Sequence, residues 1–237
     1  MKVALIGYGM MGKVIEQKLL ARGHEIVGIV SMDRLQSIKD ISEPFDVIID
    51  FSHPDNLASL LAYVDVHHTP IVVATTGYTD EQVASIKHAA LQSPVVYTAN
   101  FSLGVTVMQE VLRQITPILE DSFDIEVIEK HHNQKIDAPS GTAKMLVETL
   151  NPDGIYEEVF GREGSSKRKR EIGIHAVRGG SIVGEHSVIY AGEDEVLEIK
   201  HEAHSKGIFA NGAIKAAEFL VGKPVGLYNM HDVLFSK

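Results

Sequence analysis

The sequence predicts an α/β fold in two parts, on three observations. Short apolar runs alternate with helical segments through the first part of the chain, as βαβ units do. A glycine-rich turn follows the first of those runs. Beyond about residue 120 the runs lengthen and begin to alternate apolar with polar residues, as in "VLEIKHEAH". Such alternation fits a mixed or antiparallel sheet with two unlike faces.

The elements follow in order. Val3 to Ile6 is a continuous apolar run, as expected of a strand covered on both faces. Glycines stand at 7, 9 and 12, ahead of a helical segment from Val14 to Ala21. Glu25–Val30, Asp46–Phe51, Pro70–Gly77 and Pro94–Asn100 contain the next four strands, and Pro54 is placed to start a helix. Thr79, with Gln82 three residues on, is a capping-box signature for the helix carrying Ile86 and Ala90. Phe123–Glu129, Glu171–Val177, Ile182–Ala191 and Val196–His204 read as the longer strands of a second, α+β domain. A last helix, Phe209 to Val221, returns to the first. The expected division is 1–101 with 206–237, and 102–205.

Composition narrows the function. Hydrophobic residues make up 44% of the 237, enough for a sizeable core. A formal net charge of −10 disfavours nucleic acid as a partner, because phosphate binding needs clustered positive charge. The run Lys167–Arg170 reads as a solvated loop. With no cysteine, disulfides and thiolate chemistry are excluded. No apolar stretch approaches the roughly 20 residues of a membrane span, so a soluble, cytoplasmic protein is expected.

"GYGMMG" (Gly7, Tyr8, Gly9, Met10, Met11, Gly12) fits G-x-G-x-x-G. The pattern alone is weak, but here it follows a strand and opens a helix, the context of a Rossmann-type dinucleotide-binding domain. The helix N-terminus offers free N–H groups to the pyrophosphate. The end of the second strand, "IVSMDR", leaves the cofactor open between NADPH and NADH. Asp33 suits a ribose hydroxyl, whereas Ser31, Arg34 and Lys13 suit a 2′-phosphate. Two more loops at strand ends, Ala74-Thr75-Thr76 and Ala99-Asn100-Phe101-Ser102, have small and hydroxyl residues that leave room for a nicotinamide.

"IEKHHNQKIDAPSGTA", Ile128 to Ala143, carries the other candidate chemistry. His131 and His132 are adjacent, so on an extended backbone they face opposite ways. No H-E-x-x-H spacing occurs, and no metal is expected. Ser140 lacks the nucleophile-elbow pattern, and Ser-Gly-Thr-Ala is not a Walker loop. What remains is an anion and proton site. A helix beginning near Pro139 would turn its free N–H groups, with Gly141 and the hydroxyls of Ser140 and Thr142, to a carboxylate or phosphate. His131 is a natural general acid and Lys135 a positive point charge.

That motif closely resembles H-H-x-x-K-x-D-A-P-S-G-T-A of the 4-hydroxy-tetrahydrodipicolinate (dihydrodipicolinate) reductase family. The likeness runs through "DVIIDFSHP", "VVATTG", "ANFSLGV", "IGIHAVRGGSIVGEH" and "SKGIFANGAIKAAEFL". It implies an NADPH- or NADH-dependent reductase of a small dicarboxylate in lysine and diaminopimelate biosynthesis, assembled as a homotetramer. It also implies His131 as general acid, Lys135 as second catalytic residue, His132 as a substrate contact, and Gly141 and Thr142 as the carboxylate cradle. The glycine loop is shorter than the form common in the family. Lys206 stands where the family often has an arginine near the cofactor, and Ser31 where it often has an acid. Two rivals share parts of the pattern: an aspartate-type amino-acid dehydrogenase, and a redox-sensing module that needs no proton donor.

Overall fold

A computed structural model describes residues 1–236, in two compact units. Among the described residues the first comprises 1–103 and 207–236, the second 104–206.

The first unit is a six-stranded sheet with helices on both faces. Its elements are β1 (Lys2–Ile6), α1 (Met10–Ala21), β2 (Glu25–Val30), β3 (Val47–Asp50), α2 (Leu57–His67), β4 (Ile71–Val73), α3 (Asp80–Ala89) and β5 (Pro94–Tyr97). The strand order is the residue-226 strand, β5, β4, β3, β1, β2, and every pairing is parallel. Order therefore reverses at β1 and β3, the switch point where open parallel sheets bind ligands. The apolar runs are buried as predicted: Val3, Leu5, Val47, Ile49 and Val72 face one core, and Ala4, Ile6, Ile48, Ile71 and Val73 face the other.

The glycine turn starts its helix earlier than the sequence suggested, at Met10 rather than Val14. At Thr79 the capping box forms as expected, with Gln82 N–H donating to the threonine hydroxyl and the Gln82 side chain accepting from Thr79 N–H. Pro54 opens a single 3₁₀ turn that runs into α2.

Asp50 ends β3 fully buried. Its carboxyl accepts from the Ser52 hydroxyl at 2.5 Å and from the Tyr78 hydroxyl at 3.1 Å, while Thr75 Oγ1 accepts from Ser52 N–H at 2.8 Å. The group thus ties the loop after β3 to the loop after β4. Burial pushes its pKa up, more than these hydrogen bonds lower it. A carboxyl raised in the folded state contributes its full share below the unfolded pKa of about 4 and loses it as pH climbs through the folded value. Asp50→Asn is therefore expected to gain stability relative to the parent as pH rises from about 5 to 8. Thermal melts of the two proteins running parallel across that range would show an ordinary carboxyl instead.

The second unit holds α4 (Leu103–Leu119, entered from the first), β6 (Asp124–His131), α5 (Gly141–Leu150), β7 (Glu157–Phe160), β8 (Glu171–Arg178), β9 (Gly184–Ala191) and β10 (Val196–Ala203). Its sheet runs β10-β9-β6-β8-β7 and is mixed: β9 is antiparallel to both neighbours, while β6, β8 and β7 are parallel. β6 alternates, burying Ile125, Val127, Glu129 and His131. Its apolar members pack with Leu112 of α4 and Leu146, Val147 and Leu150 of α5. The short, mostly exposed β7 carries little apolar patterning, which is why the sequence did not announce it.

The chain returns through α6 (Gly207–Leu220), then adds β11 (Gly226–Tyr228) and α7 (Met230–Phe235), neither foreseen. β11 is the sixth strand of the first sheet, pairing with β5. Three residues make too short a run to show any period. No helix among the described residues is long and apolar enough to cross a membrane.

Candidate active site

The glycine loop has the steric logic of its fingerprint. Gly7 sits at φ +92°, and a Cβ there would overlap the Phe51 carbonyl oxygen at the end of β3. A Cβ on Gly12 would overlap the Gly7 carbonyl oxygen, whereas one on Gly9 would meet nothing within 4 Å. Two glycines therefore close the turn and the third leaves open room in front of the helix N-terminus, as a pyrophosphate requires.

Beside this loop the Arg34 guanidinium lies 4.0 Å from the Tyr8 ring centroid, and Lys13 Nζ lies 5.9 Å from it. The Tyr8 hydroxyl donates to Glu16 at 2.5 Å. Ser31 Oγ is buried without a hydrogen-bond partner. Asp33 is exposed, as is Met10, while Met11 packs partly against the core. Ala74 is buried, Thr75 is occupied by Ser52 N–H, and Thr76 is exposed. In the next loop Ala99 is exposed, Asn100 Oδ1 accepts from Ser102 N–H, and Phe101 and Ser102 are buried. Phe101 stacks at a tilt against Phe51, so its ring belongs to the core and only its backbone is free to line a site. Lys206 lies in an exposed turn that groups with the second unit rather than the first.

The second cluster is built on β6. Strand alternation turns Glu129 and His131 to the same, helix-covered face. His131 Nδ1 donates to Glu129 Oε2 at 2.6 Å. Arg178, the register partner of His131 on β8, donates to both Glu129 oxygens at 2.7 and 2.8 Å. Ser140 N–H donates to Glu129 Oε1 at 2.9 Å. Burial alone would raise the Glu129 pKa; Arg178, His131 and the Ser140 amide outweigh it and hold the carboxyl below its usual range. Glu129 is thus a buried carboxylate with four donors. His131 Nε2 is left on the other side of the ring, where a Cβ on Gly184 would stand 3.1 Å away.

The expected helix begins at Gly141, not Pro139, because Ser140 is its cap. Ser140 Oγ accepts from Ala143 N–H at 3.2 Å and lies 3.0 Å from His186 Nε2. Burial, followed by the charge of His131, pushes the His186 pKa down to about 4. His186 is therefore neutral near pH 7, and its Nε2 shares a hydrogen bond with the serine hydroxyl. The Ser140 hydroxyl, proposed from sequence as an anion donor, is fully engaged inside the fold. Gly141 is exposed with nothing within 4 Å of its Cβ position, and Thr142 follows it half-buried. His132 is half-buried just past the strand, beyond the inward-facing His131. Lys135 Nζ pairs with Asp137 Oδ1 at 2.8 Å, and the Gly141 backbone adds least to the lowering of the Asp137 pKa. The Lys135 ammonium is the main reason the Asp137 carboxyl is held below its usual range.

Glu129, Gly184, His186 and Arg178 escaped the sequence reading. Glu129 had a signal: two residues before His131 on a strand, it had to share its face. The other three are brought in by β-pairing, which the sequence does not state. Among the described residues no group of His, Asp and Glu could hold a metal ion.

A dinucleotide-type sheet and a histidine–carboxylate centre beside a helix N-terminus define a nicotinamide-dependent oxidoreductase. The family models "Dihydrodipicolinate reductase, N-terminus" and "Dihydrodipicolinate reductase, C-terminus" match residues 1–101 and 104–234. The chain belongs to the dihydrodipicolinate reductase family, as the sequence resemblance implied. It is 48% identical over 250 residues to the 4-hydroxy-tetrahydrodipicolinate reductase of Clostridium novyi (strain NT), covering 100% of this chain and 99% of the relative. It is 46% identical over 239 residues to that of Brachyspira hyodysenteriae (strain ATCC 49526 / WA1), covering 99% and 100%. The fold is similar to that of a dipicolinate-bound dihydrodipicolinate reductase from Paenisporosarcina sp. TG-14, with TM-score 0.76, 20% identity, and 96% and 97% of the two chains covered.

Proposed function

We propose that this chain reduces 4-hydroxy-tetrahydrodipicolinate to tetrahydrodipicolinate, in lysine and diaminopimelate biosynthesis. A bound reduced nicotinamide supplies the hydride. The ring hydroxyl leaves as water, and hydride plus one proton balance the change. The first unit binds the dinucleotide through Gly7–Gly12, Ser31, Arg34 and the loops at 74–76 and 99–102. The second unit binds the substrate. His131 gives up the proton from Nε2, Lys135 and Gly141 N–H hold a carboxylate, and Thr142 and His132 complete its surroundings.

The observation that carries this reading is the position of Asp137. A carboxylate of the chain itself pairs with Lys135, and the Gly141 backbone also helps to hold it ionised, so the positive field that a substrate carboxylate needs is already assembled. A dicarboxylate substrate would take over the same two groups. The dipicolinate bound in the Paenisporosarcina relative is such a dicarboxylate.

NADPH is the better fit of the two cofactors. Arg34, stacked on Tyr8, presents a planar donor fork suited to a 2′-phosphate, and Ser31 presents a buried hydroxyl that lacks a partner. Asp33, the acid next to Arg34 in sequence, is exposed. Arg34→Ala is expected to raise KM for NADPH about tenfold or more, the scale of one charge-assisted hydrogen bond, and to leave KM for NADH nearly unchanged. Equal effects on both cofactors would remove Arg34 from the 2′ site.

The test of the function is nicotinamide oxidation followed by absorbance, with substrate generated in situ and both cofactors run in parallel. Turnover with either establishes the reaction. A folded protein that binds cofactor but turns over only open-chain amino acids would be an amino-acid dehydrogenase instead. The homotetramer and cytoplasmic location typical of such enzymes belong to the same reading, and sedimentation analysis checks the former.

A further inference from the structure

We infer that Glu129, clamped by Arg178, is a positioning residue that fixes which nitrogen of His131 carries the exchangeable proton. The inference deepens the proposal above and rests on its reading of His131 as the acid.

The argument begins with hydrogen-bond capacity. An ionised carboxylate only accepts. Glu129 has 0% exposure, accepts two bonds from Arg178 and one from Ser140 N–H, and meets His131 Nδ1 at 2.6 Å. Nδ1 must therefore keep its hydrogen whether the ring is charged or neutral. The proton that comes and goes is the one on Nε2. That nitrogen lies beside Gly184, the position where a missing side chain leaves it room.

Arg178 does more than neutralise Glu129. Its guanidinium also donates to the Asp137 carbonyl oxygen at 2.6 Å. Gly179 N–H, next in sequence, donates to the His131 carbonyl oxygen at 2.9 Å. The arginine thus ties the orienting carboxylate to the loop that carries Lys135. The charged and titratable groups around His131 are Glu129, Arg178, His186, Lys135 and Asp137. Of these only Glu129 bonds the ring directly. His186 stands edge-on at 5.1 Å between centroids and is neutral, so it adds no competing charge near pH 7.

Glu129→Gln separates this role from simple support. Oε1 receives Arg178 and Ser140 N–H, so the amide oxygen belongs there. The amide nitrogen then takes the place of Oε2, where it donates to His131 Nδ1 and forfeits the bond from Arg178 Nη1. The ring is forced into the opposite tautomer. The expected result is a kcat lower by about a hundredfold or more, by analogy with a carboxylate-to-amide change behind a catalytic histidine. KM for the substrate should move far less than kcat, a split that a general loss of structural support would not give. KM for the cofactor should not change.

His131→Ala is measured alongside. If that variant keeps full activity, the reading of His131 fails. If it is inactive while Glu129→Gln keeps the parent kcat, the reading stands and the positioning role is overturned. Should Glu129→Gln fail to fold, ¹⁵N NMR of the parent decides the point, with the His131 signals assigned by difference from His131→Gln. A neutral ring protonated on Nδ1 supports the inference, and one protonated on Nε2 overturns it.

Discussion

Alanine at position 131 is expected to lower kcat by about two to four orders of magnitude, the range for removing a positioned general acid. The reduction releases a hydroxyl group as water, and a hydroxide leaving group needs a proton. Nothing else in the cluster replaces the imidazole. His186 is close, but it is neutral near pH 7 and its Nε2 is hydrogen-bonded to Ser140. Lys135 Nζ is paired with Asp137 at 2.8 Å. Cofactor affinity, measured by fluorescence titration of NADPH, should be unaffected, because none of the glycine loop is touched. A His131→Ala enzyme retaining more than a tenth of parental kcat would send the proton to another donor, with Lys135 the first to examine.

Alanine at position 212 should be the most damaging single methyl in the first unit. Gly212 lies in α6 against the Phe101 carbonyl oxygen, and a Cβ would fall deep within the oxygen's van der Waals radius. The obstacle is backbone, so no rotamer change relieves it. Ala213, Ile214, Ala216 and Ala217 are all buried around it, so α6 cannot back away without opening the core. The expected cost is about 3 kcal/mol, the upper part of the ordinary overpacking range, or roughly 6 °C or more in Tm. The same methyl pushes on the Ala99–Ser102 loop, so NADPH binding should weaken together with stability. A Gly212→Ala protein with parental Tm and cofactor affinity would mean that α6 sits farther from Phe101 than described.

The parallel sheet was legible because its strands are buried on both faces and announce themselves as unbroken apolar runs. The capping box at Thr79 was legible for a different reason: Thr and Gln three residues apart satisfy each other's backbone amides without help from the rest of the chain. The start of the helix after Pro139 was misplaced by two residues. Proline at the first turn is a common pattern, but here Ser140 Oγ caps Ala143 and sets the boundary. β7 and β11 were missed because four and three residues, pinned by neighbouring strands, need no pattern of their own.

The candidate site divides the same way. Its motif residues sit close in sequence, and His131, Lys135, Gly141 and Thr142 could be read from one short stretch. By itself the sequence determined the fold class, the glycine turn and which side chains that stretch brings, since each depends on local period, local sterics or side-chain type. Only the tertiary structure decided that Ser140 faces inward, that Asp137 pairs with Lys135, and that Arg178 on one strand clamps Glu129 on another. Those facts depend on strand register, and register is settled by the summed burial of whole strands rather than by any residue that takes part in the site.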